Sequence, residues 1–291
     1  MSPKTDPFAI LPDMTAAEIC ATVLDREAHA FAAGLAATML TGDPEGPHRA
    51  RVALRRLRSA VWAFRPILRP KVADKLNDRA RALFLMLGEI RDADVLLDAH
   101  VGPRLERVQL AEAAAEVRAR IRRDLRDARA LHFAARIEKL VATGKWRGRG
   151  SPARKLAEKP ATTLARNALD RSWTACAADG PDILTMPDEV LHDLRKRIKR
   201  LRYLVEYFGP LWPGLAEAAW ADDLRAMQDA LGRYCDLKLA AERGVATGDP
   251  EEAAEATEAA AAIWAGFRLR QPFWRADSAE QASGPPLVQG Q

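Results

Sequence analysis

The chain has 291 residues, a mass of 32.0 kDa and 48% apolar residues, enough for one large core or two small ones. Its formal charge is only +5, and three scattered cysteines, Cys20, Cys176 and Cys235, give no basis for a disulfide framework and fit a reducing compartment. The first thirteen residues hold no apolar secretory stretch, and apolar runs such as Ala82–Leu87 are too short to span a bilayer, so a cytoplasmic protein without membrane contact is expected.

Alanine, leucine and arginine dominate and aromatics make up 6%, a balance that favours helices. After an irregular lead-in over 1–14, Thr15 and Glu18 have capping-box spacing and open a helix that runs to about Leu40. A second helix begins near Pro47 and ends at Arg69-Pro70. A third runs from Lys71 to Ala99, with Leu76, Leu83, Leu87 and Val95 apolar. His100-Val-Gly-Pro103 breaks it, and a long charged helix is expected from Arg104 to Val141. Residues 143–160 hold three glycines and two prolines and read as a basic linker, either a solvated loop or an arm reaching toward an anion. Four further helices are expected over 160–178, 188–208, 215–243 and 250–267, before a disordered tail at 277–291. Trp62, Trp212 and Trp220 are expected to fill cores. The fold class that follows is all-α, with a first half at 15–142 and a second at 161–276, each an up-and-down four-helix bundle.

The two halves echo each other. His48, Arg51, Arg55, Arg56, Leu57, Arg58, Val61 and Phe64 are answered by His192, Arg195, Lys199, Arg200, Leu201, Arg202, Val205 and Phe208, each 144 positions later. Arg81, Leu87-Gly88 and Asp92 are answered at the same offset by Arg225, Leu231-Gly232 and Asp236, which marks an internal duplication. At helical spacing His48, Arg51, Arg55 and Arg58 form one stripe beside an apolar stripe of Leu54, Leu57, Val61, Phe64 and Leu68. The second copy sets His192, Arg195, Lys199 and Arg202 beside Leu194, Ile198, Leu201, Val205 and Phe208. No acid occurs from Gly46 to Ala73, against seven arginines and one lysine, and residues 194–205 hold six cations and no acid. Cations stacked roughly 5–6 Å apart repel one another unless an anion lies along them. Gly88 and Gly232 sit inside helical patterns, where close helix packing is the simplest reason for glycine.

The two His-x-x-Arg-x-x-x-Arg/Lys-Arg-Leu-Arg helices and the two Leu-Gly-x-x-x-Asp blocks resemble the conserved-histidine α-helical domain (CHAD) family, over about residues 15–270. The resemblance implies two four-helix bundles related by a pseudo-twofold, around a basic groove that binds inorganic polyphosphate. It places anion binding on His48, Arg51, Arg55, Arg56, Arg58 and Arg81 in the first copy. In the second it places it on His192, Arg195, Lys196, Lys199, Arg200, Arg202 and Arg225. Many relatives carry an N-terminal triphosphate-tunnel (CYTH) domain. Here about fifteen residues precede the first helix and no Glu-x-Glu-x-Lys pattern opens the chain, so a stand-alone protein without that triphosphatase is expected. Arg91 corresponds to Cys235 and, lacking a symmetric partner, is not assigned a role.

The expected function is therefore non-catalytic polyphosphate binding, with no cofactor or metal, and with polyphosphate granules or the enzymes that handle them as further partners. A basic face whose arginines pair with neighbouring acids is the structural alternative. Nucleic-acid binding is a second functional one, against which stand the missing aromatic interleaving and the missing DNA-reading motif. A metal-dependent phosphohydrolase built on His48, His192, Asp92, Asp94 and Asp236 is a third. It lacks a Walker-type loop, and the aspartates are better read as orienting partners of arginines. The histidines, alone among cations, fit hydrogen bonding to phosphate or a neighbouring helix better than metal ligation.

Overall fold

The computed structural model describes residues 6–41, 43–98, 103–178, 180, 182–214, 217–242 and 250–275, so the expected tail at 277–291 lies outside the described residues. The protein is all-α: among the described residues the only extended pairing is two isolated bridges, Thr15 with Pro160 and Leu68 with Arg147. The helices are α1 (Ala16–Ala36), α2 (Glu45–Phe64), α3 (Pro70–Asp98), α4 (Arg104–Asp127), α5 (Leu131–Thr143), α6 (Ser151–Glu158), α7 (Ala161–Ala177), α8 (Asp188–Phe208), α9 (Glu217–Glu242) and α10 (Pro250–Arg268). Shifted by 144 positions, α1 to α4 fall on α7 to α10 to within a few residues. The chain divides into two compact units, Met1–Leu164 and Ala165–Gln291.

In the first unit α1 packs on α2, α2 on α3, α3 on α4, and α5 returns to α1. The capping box opens α1 as its spacing requires: the Glu18 amide donates to Thr15 Oγ1, and the Thr15 amide donates to Glu18 at 2.8 Å. These hydrogen bonds hold the Glu18 carboxyl below its usual range. α1 and α2 cross at Gly34, where a Cβ would stand 2.5 Å from the Ala50 backbone nitrogen, so only glycine admits the approach. Past Gly34 the helix widens into a π-turn over Ala37–Thr41. The apolar stripe of α2 is buried in full, as are Leu76, Leu83 and Leu87 of α3. Val95 instead is exposed.

Two expectations are corrected here. The helix read as one element from Arg104 to Val141 breaks after Asp127, with Arg129 in the left-handed region at φ 51°. Arg79 of α3 donates to the Ala128 carbonyl, satisfying the helix end. The turn lets Phe133 meet Phe31 of α1 edge-on at 6.0 Å. The segment read as a linker is part of the first unit. Trp146 is fully buried, the Gly148 amide donates to the Ile67 carbonyl at 2.7 Å, and α6 follows. Burial of one indole holds the stretch that its glycines and prolines made look loose.

The second unit is organised on aromatic rings. α8 packs on α9 and α9 on α10. Trp220 of α9 meets Trp173 of α7, Phe267 of α10 and Trp274 within 5.7 Å, all at steep angles. Trp274 Nε1 donates to Asp170 at 2.9 Å, which satisfies its one polar atom. Trp212 and Trp220 are buried as expected, whereas Trp62 in the first unit is half-buried.

Candidate functional site

The first basic row lies on α2 where it packs against α3. The register that buries Leu54, Leu57 and Val61 leaves Arg51, Arg55 and Arg58 half-buried at the edge of the helix pair. Arg51 and Arg55 both lie over the ring of Phe84 on α3, at 4.5 and 5.1 Å from its centre. Beside it, Gly88 supplies a slot: a Cβ there would stand 2.9 Å from Arg51 Nη1, and the three nearest atoms it would meet all belong to Arg51. The close packing expected at Gly88 is thus against a guanidinium of the neighbouring helix α2. Gly232 does the same more loosely in the second unit, with Arg195 Nη2 at 3.6 Å.

Electrostatically the first row is under-compensated. Arg51 Nη1 is buried without a hydrogen-bond partner, and its nearest acid, Asp92, stands 3.9 Å away with 83% of its own side chain in solvent. That is an ion pair too long for a hydrogen bond. Burial pushes the Arg51 guanidinium below its ordinary range; Asp92 opposes the shift, and Arg55 and Arg91 add to it. Arg58 is lowered by burial, then by Arg81 and Arg55, against Asp78. Arg58 Nε donates to Asn77 at 3.0 Å, which orients it without neutralising it. Arg55 and Arg81 make no ion pair among the described residues. Five arginines of α2 and α3 thus share one field, with two exposed aspartates beside them. Arg91 belongs to this group, although its lack of a symmetric partner had kept it out, and so does Phe84, whose role has no sequence signature.

Arg56 is placed elsewhere. Its Nε donates at 3.1 Å to Glu27 of α1, which is only 2% exposed and also takes Arg26 at 3.3 Å. Arg56 ties α2 to α1; it is not part of the Phe84 group. His48 is exposed at the start of α2, and His192 at the start of α8, and neither makes a hydrogen bond among the described residues. A structural bond from either histidine to a neighbouring helix is thus not seen.

The second row, on α8, is better matched by acids. Lys196 pairs with Asp193 at 3.0 Å, and its hydrogen bond lowers the Asp193 carboxyl. Arg202 lies over Tyr203 and stands 3.5 Å from Glu206. Arg225, the counterpart of Arg81, is paired with Asp222 on its own helix. Two of these acids have no counterpart in the first copy, where Arg49 and Trp62 occupy the equivalent positions. Arg195, Lys199 and Arg200 are half-buried on the same helix. The Asp236 side chain lies outside the described residues. Asp94, a candidate metal carboxylate, is instead 3% exposed and takes Arg118 of α4. No group of three or more His, Cys, Asp or Glu side chains converges on a point among the described residues. Nor is any described helix long and apolar enough to cross a membrane.

The model of the CHAD domain family matches residues 22–245. The crystal structure of the CHAD domain from the plant Ricinus communis is similar over 90% of this chain and 90% of that one, at 24% identity and a TM-score of 0.64. PptA from Streptomyces chartreusis is similar over 88% and 94%, at 18% identity and a TM-score of 0.51, a likeness of fold. No curated protein matches the chain. With the duplicated histidine–arginine helices in place and the family model spanning both of them, the chain belongs to the CHAD domain family.

Proposed function

We propose that this protein binds inorganic polyphosphate through the α2 and α8 basic rows and does so without catalysis. The observation that carries the reading is the arginine group around Phe84. Its cations, all but Arg81 half-buried, repel one another and are short of acids, and Arg51 holds a buried Nη1 with no acceptor. A chain with a charge on every phosphate supplies acceptor oxygens at close spacing, and arginine forks bind such oxygens bidentately. The family supports the same ligand, and the two four-helix sets are in this reading pseudo-symmetric halves of one duplicated domain. Granules of the polymer, or enzymes that handle it, are the expected cellular partners.

Nucleic acid fits this group less well. Stacking of unpaired bases requires an open aromatic face, and the Phe84 ring already carries two guanidinium groups. The test is a competition titration at fixed salt, long-chain polyphosphate against single- and double-stranded DNA, on wild type and on Arg55→Glu/Lys199→Glu. The expected result is preference for polyphosphate in the wild type, loss of it in the folded variant, and affinity that falls with salt through counterion release. Undiminished binding by the variant, or phosphate release by clean protein, would overturn the proposal.

A further inference from the structure

A second basic cavity lies in the first unit, away from the Phe84 group. It measures about 490 Å³, within the range of small-ligand sites, and is formed where the end of the α2–α3 connection meets the turn after α5 and the start of α6. Arg69, Lys145, Arg147, Arg149 and Arg154 line it, and no acid does. None of the five makes an ion pair among the described residues.

The backbone that carries these cations is held in place. Trp146 is buried in the unit between Lys145 and Arg147, and Arg147 lies over its ring at 5.4 Å. The Arg69 amide donates to the Trp146 carbonyl at 2.8 Å, and the Arg69 guanidinium donates to the Lys145 carbonyl at 3.2 Å. Gly148 fits where a Cβ would stand 2.7 Å from the Ala153 methyl, so the wall of the cavity packs tightly against α6. α6 itself opens at Gly150 without a side-chain cap, which adds the positive end of its dipole. One acid feels Arg147 from nearby, Glu18, and its carboxylate is already committed to the Thr15 cap.

We infer that this cavity, whose lining shares no residue with the α2 and α8 rows, is a binding site for a compact condensed phosphate of pyrophosphate type. One phosphoryl group carries a charge of about −1.5 to −2 and three acceptor oxygens. Five converging cations therefore match an anion with two such groups better than one with a single group. The rest of the lining, Thr143 with Gly144 and Gly148, offers no apolar or aromatic side chain to hold a base or an acyl group. The ligand is thus recognised by its phosphates alone.

The site can be tested apart from the polyphosphate reading. Lys145 is exposed, so its rate of acetylation in the full-length protein, read by mass spectrometry, reports occupancy. Pyrophosphate at constant ionic strength is expected to slow Lys145 acetylation several-fold in the wild type and in Arg55→Glu/Lys199→Glu. In Arg149→Glu/Arg154→Glu, whose altered side chains are exposed, protection should vanish while the thermal midpoint stays within a few degrees. Three results would each overturn the inference: no protection of Lys145 by pyrophosphate, protection that survives Arg149→Glu/Arg154→Glu, or protection by long-chain polyphosphate only.

Discussion

Gly88→Ala and Gly232→Ala are the same change at duplicated positions, and the structure separates their outcomes. Alanine in a helix interior is about 1 kcal/mol more favourable than glycine, so each helix gains on propensity. At Gly232 the new methyl meets Arg195 Nη2 at 3.6 Å, an ordinary contact, and the gain is kept. At Gly88 it meets Arg51 Nη1 at 2.9 Å, well inside contact distance, so the guanidinium must move out of its slot. Its place over Phe84 is then lost, a contact worth about 0.5–1 kcal/mol at a partly exposed site, and the stability change falls close to zero. Binding diverges further. A guanidinium turned from its buried orientation forfeits part of a charge-assisted hydrogen bond, about 1 kcal/mol, or roughly fivefold in affinity. Urea denaturation and polyphosphate titration of the two variants are the assays. Gly232→Ala should be more stable than wild type by up to about 1 kcal/mol with unchanged affinity. Gly88→Ala should be near wild type in stability and several-fold weaker in binding. Indistinguishable behaviour of the two variants in both assays would refute the assignment of Gly88 as the seat of Arg51.

Other outcomes follow from single contacts. Thr15→Ala should lower stability by about 1 kcal/mol through loss of the cap, measured by urea denaturation. Because the folded Glu18 carboxyl titrates below its unfolded value, its share of the cap is fully present above the ordinary glutamate range and is lost as pH falls through the depressed folded value; the Thr15 amide bond to Glu18 survives in the variant and the Glu18 amide bond to Thr15 does not titrate, so the wild type–variant gap should narrow in acid without closing. Trp146→Ala, which empties a fully buried site, should cost about 3–5 kcal/mol and release the 144–150 turn to proteolysis. Glu27→Ala leaves Arg26 and Arg56 without their shared, nearly inaccessible acceptor and should cost about 3 kcal/mol in thermal denaturation. Arg56→Ala, which leaves Glu27 its bond to Arg26, should cost less.

What the sequence made legible is whatever repeats at helical or duplicate spacing. The α2 and α8 stripes, the buried leucines and the Thr15 cap all rest on residues within a few turns of one another, and periodicity is a local property. The break at Ala128-Arg129-Ala130 carries neither glycine nor proline; the donor that satisfies its Ala128 carbonyl, Arg79, is about fifty residues away in sequence. The 143–160 segment was misread for the converse reason, since glycine and proline mark looseness while the burial of Trp146 that cancels it is tertiary. Arg56 shares its helix with Arg55, and only the fold shows that one faces Glu27 and the other Phe84. Arg91 could have been found by weighing charge near Asp92 more heavily than symmetry, because the second copy holds Cys235 at that position.

The bonds at the seam of the first unit bear on how the chain folds as it is made. The Ala16 amide, among the first donors of α1, is taken by the Lys159 carbonyl at 3.0 Å, and the Ala161 amide returns to the Met14 carbonyl at 3.0 Å. The opening turn of α1 therefore waits for partners that leave the ribosome about 145 residues later, some 7–30 s at ordinary rates of synthesis. Until then the pairings of α1 with α2, α2 with α3 and α3 with α4, whose contacts are close in sequence, are the parts able to form. The same seam brings positions 14–16 and 159–161 side by side, which makes the first unit a natural substrate for circular permutation: new ends at an exposed turn, with the old ones joined across a gap already bridged by backbone hydrogen bonds.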